Sequence, residues 1–134
     1  MSATSRRWVY IDTSAFVKLC WREQESDVLR AHLGGRPLIS SIVLHIEALR
    51  AALRRSPADV AVAQNRLRRV SRLDIGAATM SLASTMLPPE VRSLDAIHIA
   101  AAKLLDADLD ELVTYDDRMR QAAIAQGLSV SSPN

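Results

Sequence analysis

The feature that most constrains this chain is an apolar run that ends in a carboxylate. Trp8-Val9-Tyr10-Ile11 leads straight into Asp12, the hydroxyls of Thr13 and Ser14, and a helical pattern from about Ala15. An uninterrupted apolar run of this length fits a strand buried on both faces, as in the middle of a parallel sheet. Such a strand leaves Asp12 at its carboxyl end, where open α/β sheets gather ligands. Thr13 or Ser14 is placed to cap the following helix, whose free N–H groups attract anions. The arrangement returns late in the chain, where Leu112-Val113-Thr114 leads into Tyr115-Asp116-Asp117.

Between these two points the pattern alternates. Helical stretches are expected from Ala15 to Cys20 and around Val28, Leu29 and Leu33, stopped by Gly34-Gly35. Leu38-Ile39-Ser40 reads as a short strand, and Ser41 as the cap of a helix from Ile42 to Arg55. In that helix Ile42, Ile46, Leu49 and Leu53 recur at helical spacing and define the expected core stripe. Ser56-Pro57 starts a further helix to about Val70, because proline suits a first helical turn. The two helices read as a hairpin projecting from the sheet. Leu73-Asp74-Ile75 is expected as a strand, Ala77 to Met86 as a helix, and Leu94 to Leu105 as an apolar helix capped by Ser93. After the strand at Leu112, a helix from Arg118 to Gln126 stops at Gly127, and Leu128-Ser129-Val130 offers a last strand. Strands alternating with helices imply right-handed crossovers and an α/β fold, a parallel sheet with helices on both faces. With no repeat and no linker, residues 1–134 read as a single domain.

Aromatic residues are only 4% of the chain, so the core must be aliphatic. The single cysteine, Cys20, excludes an internal disulfide and a multi-cysteine metal cluster, and reads as core filler in a reducing cytosol. No apolar run approaches the ~20 residues that span a bilayer. Arg6 and Arg7 precede only a short strand-like run, not a signal-peptide core. A cytoplasmic location with no membrane association is therefore expected. Net charge is +2, but unevenly spread. Seven arginines and one acid, Asp59, lie between Arg50 and Arg72, whereas six acids and no base lie between Asp106 and Asp117. Arginine's planar fork matches phosphate, so Arg66, Arg68, Arg69 and Arg72 are candidate contacts to a nucleic-acid backbone. A solvated helix face, or a protein–protein interface, is the alternative reading of that cluster.

Each acid has an ordinary use by itself. Glu47, at the edge of its helix's expected stripe, could pair with Arg50; Asp95 could favour a helix dipole, and Asp116 could cap a helix. Together they have a different meaning. In a parallel sheet, strand ends and the starts of following helices share one edge, so Asp12, Asp95 and Asp116 should converge with Glu47 reaching in from the side. Uncompensated carboxylates raise one another's pKa values, and a divalent cation removes the conflict. All-oxygen ligation selects Mg²⁺ or Mn²⁺ over zinc. His98, one turn after Asp95, reads as a satisfied helix histidine and not a ligand. His45 reads as lining the cleft or lying on the surface.

Four stretches then resemble a known family, the PIN-domain ribonucleases, and in particular VapC toxins of toxin–antitoxin pairs. They are Ile11-Asp12-Thr13-Ser14-Ala15-Phe16-Val17-Lys18, Glu47-Ala48-Leu49-Arg50-Ala51, Leu94-Asp95-Ala96-Ile97-His98-Ile99-Ala100-Ala101-Ala102 and Val113-Thr114-Tyr115-Asp116. The resemblance implies a PIN-like three-layer α/β/α fold with about five short parallel strands. It implies an Mg²⁺-dependent endoribonuclease, with Mn²⁺ as the other candidate ion, acting on RNA and leaving a 5′-phosphate and a 3′-hydroxyl. It also implies neutralisation by a cognate VapB-type antitoxin, and homodimerisation. On this reading Asp12, Asp95 and Asp116 hold the metal, Glu47 orients a water, and Thr13, Ser14 and Thr114 support the carboxylates or the phosphate. The family pattern has one acid where this chain has two; Asp116 is favoured and Asp117 is the second choice or an outer-shell group. Two other classes stay open: a phosphoacceptor receiver domain, and a PIN-like domain that binds without cutting.

Overall fold

The computed structural model describes residues 7–134; Arg6, read above with Arg7 as a basic pair, lies outside them. Five strands form one parallel sheet: β1 (Trp8–Ile11), β2 (Leu38–Ser41), β3 (Val70–Leu73), β4 (Leu109–Val113) and β5 (Val130–Ser131). Their spatial order is β3-β2-β1-β4-β5. The order reverses beside β1, so a crevice opens between β1 and β4 at the carboxyl edge, the usual ligand position in such sheets. The intervening helices are α1 (Thr13–Cys20), α2 (Ser26–Leu33), α3 (Ile42–Arg55), α4 (Pro57–Leu67), α5 (Ala77–Ser84), α6 (Ser93–Leu104) and α7 (Asp117–Ala125).

The strand period of two divides the core into two layers. Val9 and Ile11 pack on one face with Phe16, Leu29, Leu44 and Leu67, from α1 to α4. Tyr10 and Leu112 pack on the other face with Ile99 and Met119, from α6 and α7. Each fully buried large side chain contributes about 1.5–3 kcal/mol relative to exposure. The expected three-layer α/β/α architecture is therefore present.

Local chemistry sets most helix ends. The Ser41 hydroxyl accepts from the Val43 amide at 3.2 Å, and Ser56 does the same for Asp59, with Pro57 in the first turn. Gly127 terminates α7 with φ +84°, a left-handed conformation that favours glycine. Neither Thr13 nor Ser14 caps α1; Asp12 does, its Oδ1 accepting from the Ala15 amide at 3.0 Å. Arg92, not Ser93, is the N-cap of α6, with no side-chain cap bond.

Three expectations need larger corrections. α4 stops at Leu67 and the third strand is Val70–Leu73, not Leu73-Asp74-Ile75. Val70 is buried and pairs with Leu38, and that pairing outweighs the helical look of the arginine-rich stretch. The α3–α4 pair does not project, because Ala48, Ala52, Ala63 and Leu67 are buried. Finally, α3 buries Val43, Leu44, Ala48 and Ala52, while Ile46 and Leu53 are 62% and 55% exposed. Alanines let helices approach closely, so the smaller face went inward. That rotation puts Glu47 three and four residues from buried Leu44 and Val43, on the inner side.

Candidate active site

Four elements bring the predicted acids to the carboxyl edge of the sheet. Asp12 follows β1 and is 5% exposed. Its Oδ1 accepts from the Ser14 hydroxyl (2.7 Å) and the Ala15 amide, and its Oδ2 from the Thr114 hydroxyl at 2.6 Å. Burial still prevails over these bonds and holds the Asp12 carboxyl above its ordinary pKa. Thr114, just past β4, is fully buried, and its Oγ1 also accepts from the Asp116 amide at 3.1 Å. One hydroxyl thus ties the ends of β1 and β4 together. Ser14 adds a second tie, accepting from the Tyr115 amide at 2.8 Å.

Asp95 and Asp116 meet through Arg92. The guanidinium donates from Nε to Asp95 Oδ2 at 3.1 Å and from Nη2 to Asp116 Oδ2 at 3.0 Å. The other oxygen of Asp116 caps α7 by accepting from the Met119 amide at 3.1 Å. Asp117 is exposed at the start of α7 and stands outside this network. Of the two adjacent acids, the favoured Asp116 lies in this network and the second-choice Asp117 outside it.

Glu47 enters from α3. Its Oε1 accepts from the Thr13 hydroxyl at 2.7 Å and from His98 Nε2 at 2.8 Å, not from Arg50. Burial alone would raise this carboxyl, but the His98 and Thr13 bonds outweigh it and hold the pKa below the usual value. His98 is a satisfied helix histidine, as expected, but its partners are Glu47 and Tyr10.

Among the described residues, no three ligating side chains converge tightly enough to enclose an ion as they stand. Asp95 and Asp116 face Arg92, and Asp12 faces hydroxyls. The donor chemistry nevertheless suits a hard cation, since the set is carboxylate and hydroxyl oxygen and both His98 nitrogens are engaged. Cys20 ends α1, at the far side of the sheet, and burial pushes its thiol up to about 11.

The arginines divide. Arg72 lies near the carboxyl end of β3, opposite Ser40, and its charge, after burial, lowers the pKa of His45. His45 Nδ1 is buried there without a hydrogen-bond partner among the described residues. Arg66, Arg68 and Arg69 precede β3 and so sit at the amino edge, where Arg66 and Arg69 line a cleft with Arg30, Phe16 and Leu19. A four-residue strand, ~13 Å, separates that edge from the acids. These three candidate backbone contacts therefore stand at the edge opposite the acids.

Sequence reasoning missed Arg92 and Tyr10. Arg92 carried a signal, an arginine three residues before an acid at a helix start. Tyr10 carried none, because a buried strand tyrosine reads as core.

A family model described as the PIN domain matches residues 9–125. Ribonuclease VapC46 of Mycobacterium tuberculosis is 42% identical over 127 residues, covering 94% of this chain and 98% of the relative. Ribonuclease VapC35 of the same species is 40% identical over 130 residues, covering 93% and 96%. Among solved structures, a toxin–antitoxin complex from Klebsiella pneumoniae superposes with a TM-score of 0.72 at 17% identity, covering 94% and 98%. The sarcin–ricin-loop-cleaving toxin VapC20 of Mycobacterium tuberculosis gives 0.70 at 19% identity, covering 93% and 99%.

Proposed function

This chain belongs to the PIN-domain family, among its VapC-type ribonucleases, and on that premise we propose that it is a divalent-metal-dependent endoribonuclease toxin neutralised by a cognate VapB-type antitoxin. The observation that carries the reading is the arrival of Asp12, Glu47, Asp95 and Asp116, from four different elements, at the carboxyl edge beside β1 and β4.

Asp12, Asp95 and Asp116 would hold Mg²⁺ or Mn²⁺, directly or through water, once Arg92 releases the last two. When bound, the ion supplies charge neutralisation at phosphoryl oxygens and a water of lowered pKa. The protein's own residues supply position. Thr114 and Ser14 fix Asp12 and join it to the start of α7. Thr13 holds one oxygen of Glu47, whose other oxygen orients the water for in-line attack on the phosphodiester. Arg92, once released from the acids, and Arg72 would meet the RNA backbone. The products would be a 5′-phosphate and a 3′-hydroxyl.

The exposed Ile46 and Leu53 on α3 support a partner-covered face, consistent with a homodimer and a bound antitoxin. Among the described residues no helix is long and apolar enough to cross a membrane. We assign the protein to the cytoplasm, where its RNA substrate lies. The decisive experiment incubates purified protein with total RNA, with and without chelator, and maps the cut ends. Chelator-sensitive cleavage that Asp12→Asn and Asp95→Asn abolish is expected. RNA binding without cleavage by the wild type would favour the non-cutting alternative, and normal cleavage by either folded variant would refute the metal-site assignment.

A further inference from the structure

A buried hydrogen-bonded chain runs from the backbone of β2 to Glu47. The Ser41 amide donates to Tyr10 Oη at 3.1 Å, Tyr10 Oη meets His98 Nδ1 at 2.7 Å, and His98 Nε2 meets Glu47 Oε1 at 2.8 Å. Tyr10 is fully buried and His98 is 2% exposed. Their rings meet edge to face, centroids 5.7 Å apart at 76°, so the imidazole has little room to rotate.

The direction of the chain is read from its Glu47 end. A carboxylate can only accept, so His98 donates from Nε2 to Glu47 Oε1. With a single ring proton, Nδ1 is then the acceptor of the Tyr10 hydroxyl.

We propose that Tyr10 and His98 are positioning residues that orient the Glu47 carboxylate for the ribonuclease reaction, by holding Oε1 and leaving Oε2 to the attacking water. The proposal rests on the endoribonuclease reading above. Thr13 and His98 both donate to Oε1, and among the described residues Oε2 has no hydrogen-bond partner. A free glutamate on a helix samples many rotamers, and fixing it requires bonds that do not themselves move. This chain provides them by anchoring to a strand amide. The link also explains why a tyrosine of β1 and a histidine of α6 are buried against each other.

The test compares Tyr10→Phe, His98→Leu and His98→Gln with wild type, measuring kcat, RNA affinity and melting temperature. Misplacement of a catalytic group by about 1 Å costs up to roughly a hundredfold. Expected are kcat losses of about tenfold for Tyr10→Phe and about a hundredfold for His98→Leu, with RNA affinity within about twofold of wild type. His98→Gln, whose amide N–H replaces Nε2–H, should recover part of the loss. Unchanged kcat in folded Tyr10→Phe and His98→Leu overturns the proposal. So does a loss that appears in RNA affinity instead of kcat, or no recovery by glutamine. Long-range ¹H–¹⁵N spectra of the metal-free wild type provide an arm independent of folding variants and of cleavage. His98 should carry its proton on Nε2 alone, and a proton on Nδ1 refutes the donor order. An Asp12→Asn control separates the two levels. If the wild type leaves RNA uncut, the nuclease reading fails, and if Asp12→Asn cuts normally, the metal-site assignment fails; if the wild type cuts and Asp12→Asn is inactive while Tyr10→Phe and His98→Leu are fully active, only the positioning role fails.

Discussion

Replacing Thr114 with valine removes one hydroxyl and almost no volume, so its cost measures hydrogen bonding with little contribution from a cavity. The hydroxyl donates to Asp12 Oδ2 at 2.6 Å, accepts from the Asp116 amide at 3.1 Å, and lies 3.2 Å from Ser14 Oγ. A bond to an ionised group contributes about 1.5–3 kcal/mol, and an orphaned amide costs about 1 kcal/mol or more. The expected loss is therefore about 3 kcal/mol near neutral pH, or roughly 10 °C for a domain of this size. The pH dependence is the sharper part. Burial raises the Asp12 pKa and Thr114 is the first of the bonds opposing it, so the valine variant raises it further. A carboxyl with a raised folded-state pKa penalises the folded protein only above its unfolded value, about 3.9. Below about pH 4 the carboxyl is protonated in both states, and the valine penalty shrinks to its neutral part of about 1 kcal/mol. Urea denaturation of metal-free protein, followed by circular dichroism at both pH values, reads this directly. A loss below about 0.5 kcal/mol near neutrality, or equal losses at the two pH values, would refute the reasoning.

Asp12→Asn keeps an oxygen to cap α1 but removes the buried charge, so the metal-free variant should unfold at higher urea than wild type near neutral pH. That advantage should vanish below about pH 4, and equal midpoints near neutrality would count against a raised Asp12 pKa. The same variant should lose the stabilisation expected of Mn²⁺ on wild type, about 2.7 kcal/mol at a hundred times Kd, read as a shift in melting temperature. Asp116→Asn should cost far more cleavage than Asp117→Asn, because Asp116 joins the network through Arg92 and Asp117 does not; the reverse ranking in a cleavage assay overturns the assignment. Arg72→Ser should lower the salt slope of RNA binding by about one, whereas Arg66→Ser with Arg69→Ser should leave it unchanged, since those two stand at the opposite edge. Affinities measured at several salt concentrations decide between them.

The order of elements, the parallel sheet and the gathering of the four acids at one edge were legible in the sequence because each has a local cause. Trp8–Ile11 is too apolar for an exposed strand, Ser41 and Ser56 cap the helices they precede, and Gly127 supplies a left-handed helix end. Strand-end acids must share one edge in any parallel sheet, whatever the spatial order of its strands. Local pattern failed where two readings had similar weight. On α3 both faces are apolar, and tertiary packing buried the alanine side, leaving Ile46 and Leu53 outside and turning Glu47 inward. Around Val70 the arginines read as helix, and pairing with β2 made a strand. Strand order, which sets Asp12 beside Thr114 and sends Arg66 and Arg69 to the far edge, comes from contacts between residues as far as 102 positions apart. No sequence period records such contacts. The same holds for Arg92 between two acids and for Tyr10 beneath His98: a hydrogen bond is specified by direction and distance in three dimensions, and those exist only once the chain has packed.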